Sequence, residues 1–167
     1  YNITFKSVLN TKFNSKHTNK TGLTVRGLGY NINLKENQGA TDNSLNTIVS
    51  EDGFSTLLSA FSSSSISLKK WNINVGFNVQ LFTLNNSFTL EPRLGLNYQL
   101  NEKNGVSFGY GLHSRLEPLN IYFINTTNSS SNKVNKDLGF SKAHHFVLAY
   151  NLGITEKLHL KIEPYFQ

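Results

Sequence analysis

The sequence predicts an all-β fold: an antiparallel meander of about eight strands in a transmembrane β-barrel, forming one segment over residues 1–167. Three observations lead there. Apolar residues recur at every second position, the pattern of a strand with one oily and one wet face. The alternating stretches run roughly 10–14 residues, beyond the usual five or six of a soluble strand and enough for a tilted crossing of a bilayer. The connections are alternately short and long, as in outer-membrane barrels.

The first stretch, near 1–12, sets Tyr1, Ile3, Phe5 and Leu9 against Asn2, Thr4, Lys6 and Asn10. After the polar turn 14–19, the stretch at 20–35 slips phase. Leu23 and Val25 are odd, Leu28, Tyr30, Ile32 and Leu34 are even, and Gly27 and Gly29 sit between them. A glycine bulge there is expected to realign the faces. A long loop is expected over 35–53. The stretch 54–68 has Leu57, Leu58 and Phe61 at helical spacing. Its four consecutive serines and the alternating Ile66 and Leu68 favour a strand, because serine is a poor helix-interior residue.

"WNINVGFNVQL" in the stretch 71–83 shows the period most plainly. The next strand, 89–101, opposes Leu90, Pro92, Leu94, Leu96, Tyr98 and Leu100 to Glu91, Arg93, Gly95, Asn97 and Gln99. After the turn 101–105, the strand 105–116 opposes Val106, Phe108, Tyr110 and Leu112 to Ser107, Gly109, Gly111 and His113. A second long loop spans 116–142. Strands near 142–153 and 157–167 follow, with Phe146, Leu148 and Tyr150, then Leu158, Leu160 and Ile162, on their apolar faces. Short turns at 14–19, 69–70, 101–105 and 153–157 fall at one end of the sheet. The two long loops and "LNNSF" at 84–88 fall at the other, which makes every neighbouring pair antiparallel. No helix is expected.

Composition narrows the function. Hydrophobic residues make up 38% and charged residues 16%, and Asn, Ser, Thr and Gly fill the rest. Such a surface is wet yet weakly charged, as a barrel lumen is. The net charge is +6, but the basic residues are dispersed, with no cluster beyond Lys69-Lys70, so no nucleic-acid partner is expected. The absence of Cys excludes disulfides and thiolate metal sites. No apolar run approaches the length of a transmembrane helix, which leaves transmembrane strands open. The lack of Met leads us to expect a processed product or a fragment.

No acid, base and nucleophile stand at an informative spacing, so no enzyme is expected, and no cofactor. His144 and His145 are adjacent, and neighbours on a strand point to opposite faces, so they cannot chelate one ion. The charges assigned to the wet face, as lumen- or plug-facing residues, are Lys6, Arg26, Glu91, Arg93, Arg115, Lys161 and Glu163. Glu91 and Arg93, two apart, point the same way. Tyr30, Trp71, Phe82, Phe88, Tyr165 and His144 are expected in the aromatic girdles at the bilayer interfaces. In the loop 116–142, Leu119, Ile121, Tyr122 and Phe123 form an apolar patch. They are the candidate ligand contacts, or a cover folded over the lumen. "NTT" and "NSS" at 125–130 match the glycosylation sequon, a short motif that says little by itself.

The stretch 90–123, with Pro92 to Leu100, a short turn and "SFGYG" from Ser107 to Gly111, resembles the barrel of TonB-dependent outer-membrane receptors of the Bacteroidetes type. The strand pair at 135–167 and the segment 12–27 are similar to further parts of that barrel, so the resemblance spans essentially the whole chain. It implies a bacterial outer-membrane location and TonB-powered uptake of a scarce nutrient: a glycan, a peptide or a metal chelate. It implies a 22-stranded barrel, of which this chain supplies about eight strands without a plug domain. The implied partners are outer-membrane lipid, the plug of the same receptor, the TonB complex through the amino-terminal part, and a surface lipoprotein in the glycan-uptake branch.

Two other readings share the same period. One is a free-standing eight-stranded outer-membrane barrel with a structural or adhesive role. The other is a soluble ligand-binding barrel of the lipocalin kind, which places apolar side chains inside. A lipocalin is expected to show Gly-x-Trp near its first strand, whereas the only Trp here, Trp71, follows Lys69-Lys70.

Overall fold

The computed structural model describes residues 1–37, 45–124 and 135–167. The strands are β1 (Asn2–Asn14), β2 (His17–Asn37), β3 (Leu45–Ser67), β4 (Trp71–Phe82), β5 (Ser87–Gln99), β6 (Asn104–Arg115), β7 (Ser141–Gly153), β8 (His159–Ile162) and β9 (Tyr165–Phe166). They form one open antiparallel sheet in the order β1 to β8, with β9 also on β7. The chain is therefore an all-β antiparallel meander of about eight strands. Each expected strand is present, and 54–68 lies in β3 rather than in a helix.

β8 and β9 are one strand interrupted by a proline. Both keep the same register on β7, and the Leu148 amide donates to the Pro164 carbonyl at 3.1 Å. Pro164 has no N–H to return, so the ladder breaks there.

Three expectations are corrected. The bulge at Gly27 and Gly29 is absent: β2 pairs without slip from Asn2↔Leu28 to Lys12↔Thr18 on one side and from His17↔Ile66 to Leu34↔Val49 on the other. The register of β2 shifts only near its two ends, between Leu34 and Lys35 against β3 and between Lys12 and Asn14 of β1. The phase change is therefore real. Leu23 and Val25 lie on one face of the sheet, and Leu28, Tyr30, Ile32 and Leu34 lie on the other. The glycines instead make room for rings: a Cβ on Gly27 would lie 2.5 Å from the Phe54 ring, and one on Gly29 2.7 Å from that of Tyr1.

Second, the span 35–53 is mostly strand. β2 and β3, of 21 and 23 residues, extend past their neighbours as a tall hairpin. Third, the loop after β6 contains one helical turn, α1 (Leu119–Tyr122), too short to leave a period in the sequence. A 3-10 turn at Asn135–Asp137 packs beside it.

The two faces differ sharply. The register puts Ile3, Phe5, Val25, Leu58, Leu81 and Phe88 on one surface, together with Val75, Leu94, Tyr110 and Phe146. This apolar face is not packed against protein: Val75, Phe77, Leu90 and Leu148 are each about half exposed. The opposite face carries Asn72, Asn74, Asn78 and Gln80 of β4 beside Asn97, Gly95, Glu91 and Thr89 of β5. The one buried apolar cluster among the described residues lies on this polar face at its long-loop end. Leu28, Val49, Leu57 and Phe82 of the strands meet Tyr122, Phe123 and Phe140 of the loop.

Candidate functional site

The polar face is the chemically distinctive surface, and Glu91 is its centre. The β5–β6 pairing stops at Arg93↔Gly111, beside Pro92, which has no N–H for the ladder. Beyond that break the Glu91 side chain takes over part of the strand's role. Its Oε1 accepts from the Ser114 amide at 3.2 Å and from Gln80 Nε2 at 2.6 Å. Its Oε2 accepts from Asn78 Nδ2 at 3.2 Å and from Arg93 Nη2 at 3.0 Å. Glu91 is 2% exposed, and four donors satisfy its carboxylate, as a buried charge requires. Thr89 and Ser114 share a hydroxyl hydrogen bond of 2.7 Å next to it.

Glu91→Gln puts an amide among these donors and is expected to lower stability by about 1–3 kcal/mol. Arg93→Gln is expected to cost less than about 1 kcal/mol, because the guanidinium is half exposed. Equilibrium unfolding of the two variants against the parent chain measures both. An Arg93 effect equal to that at Glu91 would show that the ion pair, not the amide cage, holds the carboxylate.

The other wet-face charges lie on the expected face without converging. Arg115 pairs with Glu117 at 3.4 Å, and Glu117 also accepts from the Ser141 hydroxyl. Lys161 and Glu163 form an ion pair, with Lys161 opposite Asn151. Arg26, opposite Leu57, and Lys6, opposite Thr24, are exposed and take part in none of the ion pairs among the described residues.

His145 faces His113 edge-on across β6–β7, ring centroids 4.7 Å apart, while His144 stacks on Tyr110 on the apolar face. No group of three or more metal-ligating side chains occurs among the described residues.

The loop candidates do fold back onto the strands. Tyr122 is fully buried and meets Phe82 edge-on at 5.5 Å, and Phe123 packs on Tyr30 at 4.9 Å. Leu119 lies at the margin of the cluster, and Ile121 is half-buried nearby. Burial raises the Tyr122 phenol above its ordinary pKa, so it stays neutral. Asn85, from the β4–β5 turn, pins the far side of the loop by donating to the carbonyls of Lys136 at 2.8 Å and Leu138 at 2.7 Å. The Lys136 ammonium sits 5.3 Å from the Phe123 ring centroid. The sequons at 125–130 lie outside the described residues.

Of the expected girdle residues, Trp71, Phe88 and His144 lie on the apolar face, with Trp71 against Tyr98 at 4.5 Å. Tyr30, Phe82 and Tyr165 do not: the register places all three on the polar face, and Tyr30 and Phe82 join the loop cluster.

Sequence reasoning missed Asn78, Gln80 and Ser114 as partners of Glu91, and the Thr89–Ser114 hydrogen bond beside them. A hairpin centred between Leu84 and Asn85 sets Asn78 opposite Glu91, so the register held that signal once the turn was placed.

Comparison with protein-family models, with curated proteins and with solved structures finds no match for the chain. The geometry is that of a wall. One surface offers aliphatic side chains to its surroundings, the other offers amides, hydroxyls and paired charges, and one end of the polar surface is covered by a loop.

Proposed function

We propose that the chain is part of the barrel wall of a TonB-dependent receptor in a bacterial outer membrane, a 22-stranded transporter for a scarce nutrient and not an enzyme. The observation that carries this reading is the apolar face and where it ends. From Trp71 to Leu81 the apolar side of β4 spans ten residue steps, about 33 Å of strand and about 25 Å of height at a barrel's tilt, the height of an outer-membrane apolar band. At the long-loop end the polarity of the faces inverts. Beyond Phe54, which is exposed on that same face opposite Gly29, the tall hairpin carries Asn31, Asn33, Ser50 and Asp52 there, and the apolar residues move to the loop side. Such an inversion is what a strand needs where it leaves hydrocarbon for water.

Two further features support it. A lipocalin-like barrel buries its apolar face in a closed interior, and here that face is exposed. The described sheet has two free edges, at β1 and at β8–β9, and a bilayer does not tolerate unpaired strand edges, so further strands complete the wall. Lipid then covers the apolar face. The plug of the receptor fills the space beside Glu91, Asn97 and Lys161, and the TonB complex acts through that plug. The loop cluster around Tyr122 borders the mouth, where a nutrient and a surface lipoprotein would be met.

Membrane fractionation tests this. The complete chain is expected to stay in the outer-membrane pellet through a carbonate wash and to leave it only with detergent. A monodisperse folded monomer in plain buffer overturns the reading.

A further inference from the structure

The polar face brings two imidazoles together. His113 of β6 stands opposite Ala143, and His145 of β7 stands opposite Gly111, so the two are diagonal neighbours near the long-loop end of adjacent strands. Their ring centroids are 4.7 Å apart. Gly111 permits this approach: a Cβ there would lie 2.9 Å from His113 Nε2, so the His113 ring lies back over β6 toward the level of His145. Neither ring hydrogen-bonds to a protein group among the described residues. His144, on the other face, differs, because the Tyr110 hydroxyl lies 3.1 Å from its Nδ1.

We propose that His113 and His145 form a two-imidazole site for one divalent late first-row transition ion, which binds Cu2+ more tightly than Ni2+ or Zn2+. Three observations support it. The first is spacing. An imidazole bound at about 2.0–2.1 Å puts its ring centre about 3.2 Å from the ion, so two rings about 90–110° apart on one ion lie roughly 4.5–5.2 Å centre to centre. The observed separation falls within that range. The torsion that turns each imidazole is broad, so aiming one nitrogen of each ring at a common point costs little. The second is that the ring nitrogens are not committed to protein groups among the described residues. The third is the local charge. Arg93, opposite Gly111 on β5, is the nearby cation, and its guanidinium is paired with Glu91 at 3.0 Å, which offsets its repulsion of a dication. The same cage occupies both Glu91 oxygens, so the donors on offer are nitrogens, which suit copper, nickel and zinc rather than magnesium or calcium. Two protein ligands leave the remaining coordination positions to water or to an incoming donor. The site needs only the pairing of β6 with β7, so it stands apart from the receptor reading.

The test is a Cu2+ titration of the complete chain, purified without a histidine tag, read by electron paramagnetic resonance. The parent is expected to bind one Cu2+ in a spectrum split by two nitrogens. His113→Gln and His145→Gln are each expected to weaken binding at least about ten-fold and to remove the two-nitrogen pattern, since even the outer-shell partners of a metal ligand are worth that much. His144→Gln removes an imidazole from the opposite face and is expected to bind like the parent. A parent spectrum with a single coordinated nitrogen overturns the site without any variant. Equal affinity in the parent and His113→Gln, or a loss at His144→Gln as large as that at His145→Gln, overturns it as well. Membrane fractionation does not bear on these outcomes, so failure of the metal site and failure of the receptor reading are distinguishable.

Discussion

Arginine at Val75 or Leu96 is expected to impair assembly into a bilayer by about 2–4 kcal/mol, while arginine at Asn74 or Asn97 is tolerated. The pairs are chosen to differ in face alone. Val75 and Asn74 are neighbours on β4, and Leu96 and Asn97 are neighbours on β5. Val75 pairs with Leu94, and Leu96 with Ile73, on the surface that carries Phe77 and Leu81. Asn74 pairs with Gly95, and Asn97 with Asn72, on the surface that carries Glu91. Val75 lies four residues past Trp71 and six before Leu81, well inside the apolar band, where a guanidinium cannot reach water by snorkelling alone. An arginine replacing Asn74 or Asn97 meets a wet surface of amides and glycines. Folded fraction in vesicles under a urea series reads the difference. Equal damage from both sets would mean that neither face borders hydrocarbon.

Much of this architecture was legible because the strand period is an exact two. Once Ile73, Val75 and Phe77 alternate with Asn72, Asn74 and Gly76, the face of every residue on β4 follows, and antiparallel pairing passes that assignment to β3 and β5. The separation of His144 from His145 and the shared face of Glu91 and Arg93 were readable on the same grounds. What was not readable came from departures from uniformity along a strand. The slip at Gly27–Gly29 looked like a bulge because the reading assumed one apolar face from end to end. β2 instead passes from one environment to another, and its side chains change allegiance without any change of register. The same assumption put Tyr30 and Phe82 in girdles. It also treated 35–53 as loop, although Val49 and Ile48 are strand residues facing a neighbouring loop that local sequence does not reveal. The Glu91 cage needed one more fact, that Pro92 ends the β5–β6 ladder and leaves the Ser114 amide for a side chain.

The burial of Phe82 gives the other large expected effect. Phe82→Ala is expected to destabilise the folded chain by about 3–5 kcal/mol and to release the loop after β6. Phe82 is fully buried, at the end of β4 opposite Leu57 on one side and Ser87 on the other, with the Tyr122 ring on its outer side. Removing the ring leaves a void under α1 that Leu28 and Leu57 cannot fill without moving strands fixed by continuous pairing. Phe77, on the same strand but half exposed on the apolar face, is the matched control: Phe77→Ala opens no void in a buried cluster and is expected to cost far less. Limited proteolysis at the loop, read alongside equilibrium unfolding, separates the two. Faster cleavage is expected in Phe82→Ala alone, since Asn85 still clamps the Lys136 and Leu138 carbonyls but the other half of the loop has lost its seat. If Phe82→Ala cleaves and unfolds like the parent, the ring sits at a membrane interface as the alternation first implied, and the loop is held by Asn85 and the Glu117–Ser141 contact instead.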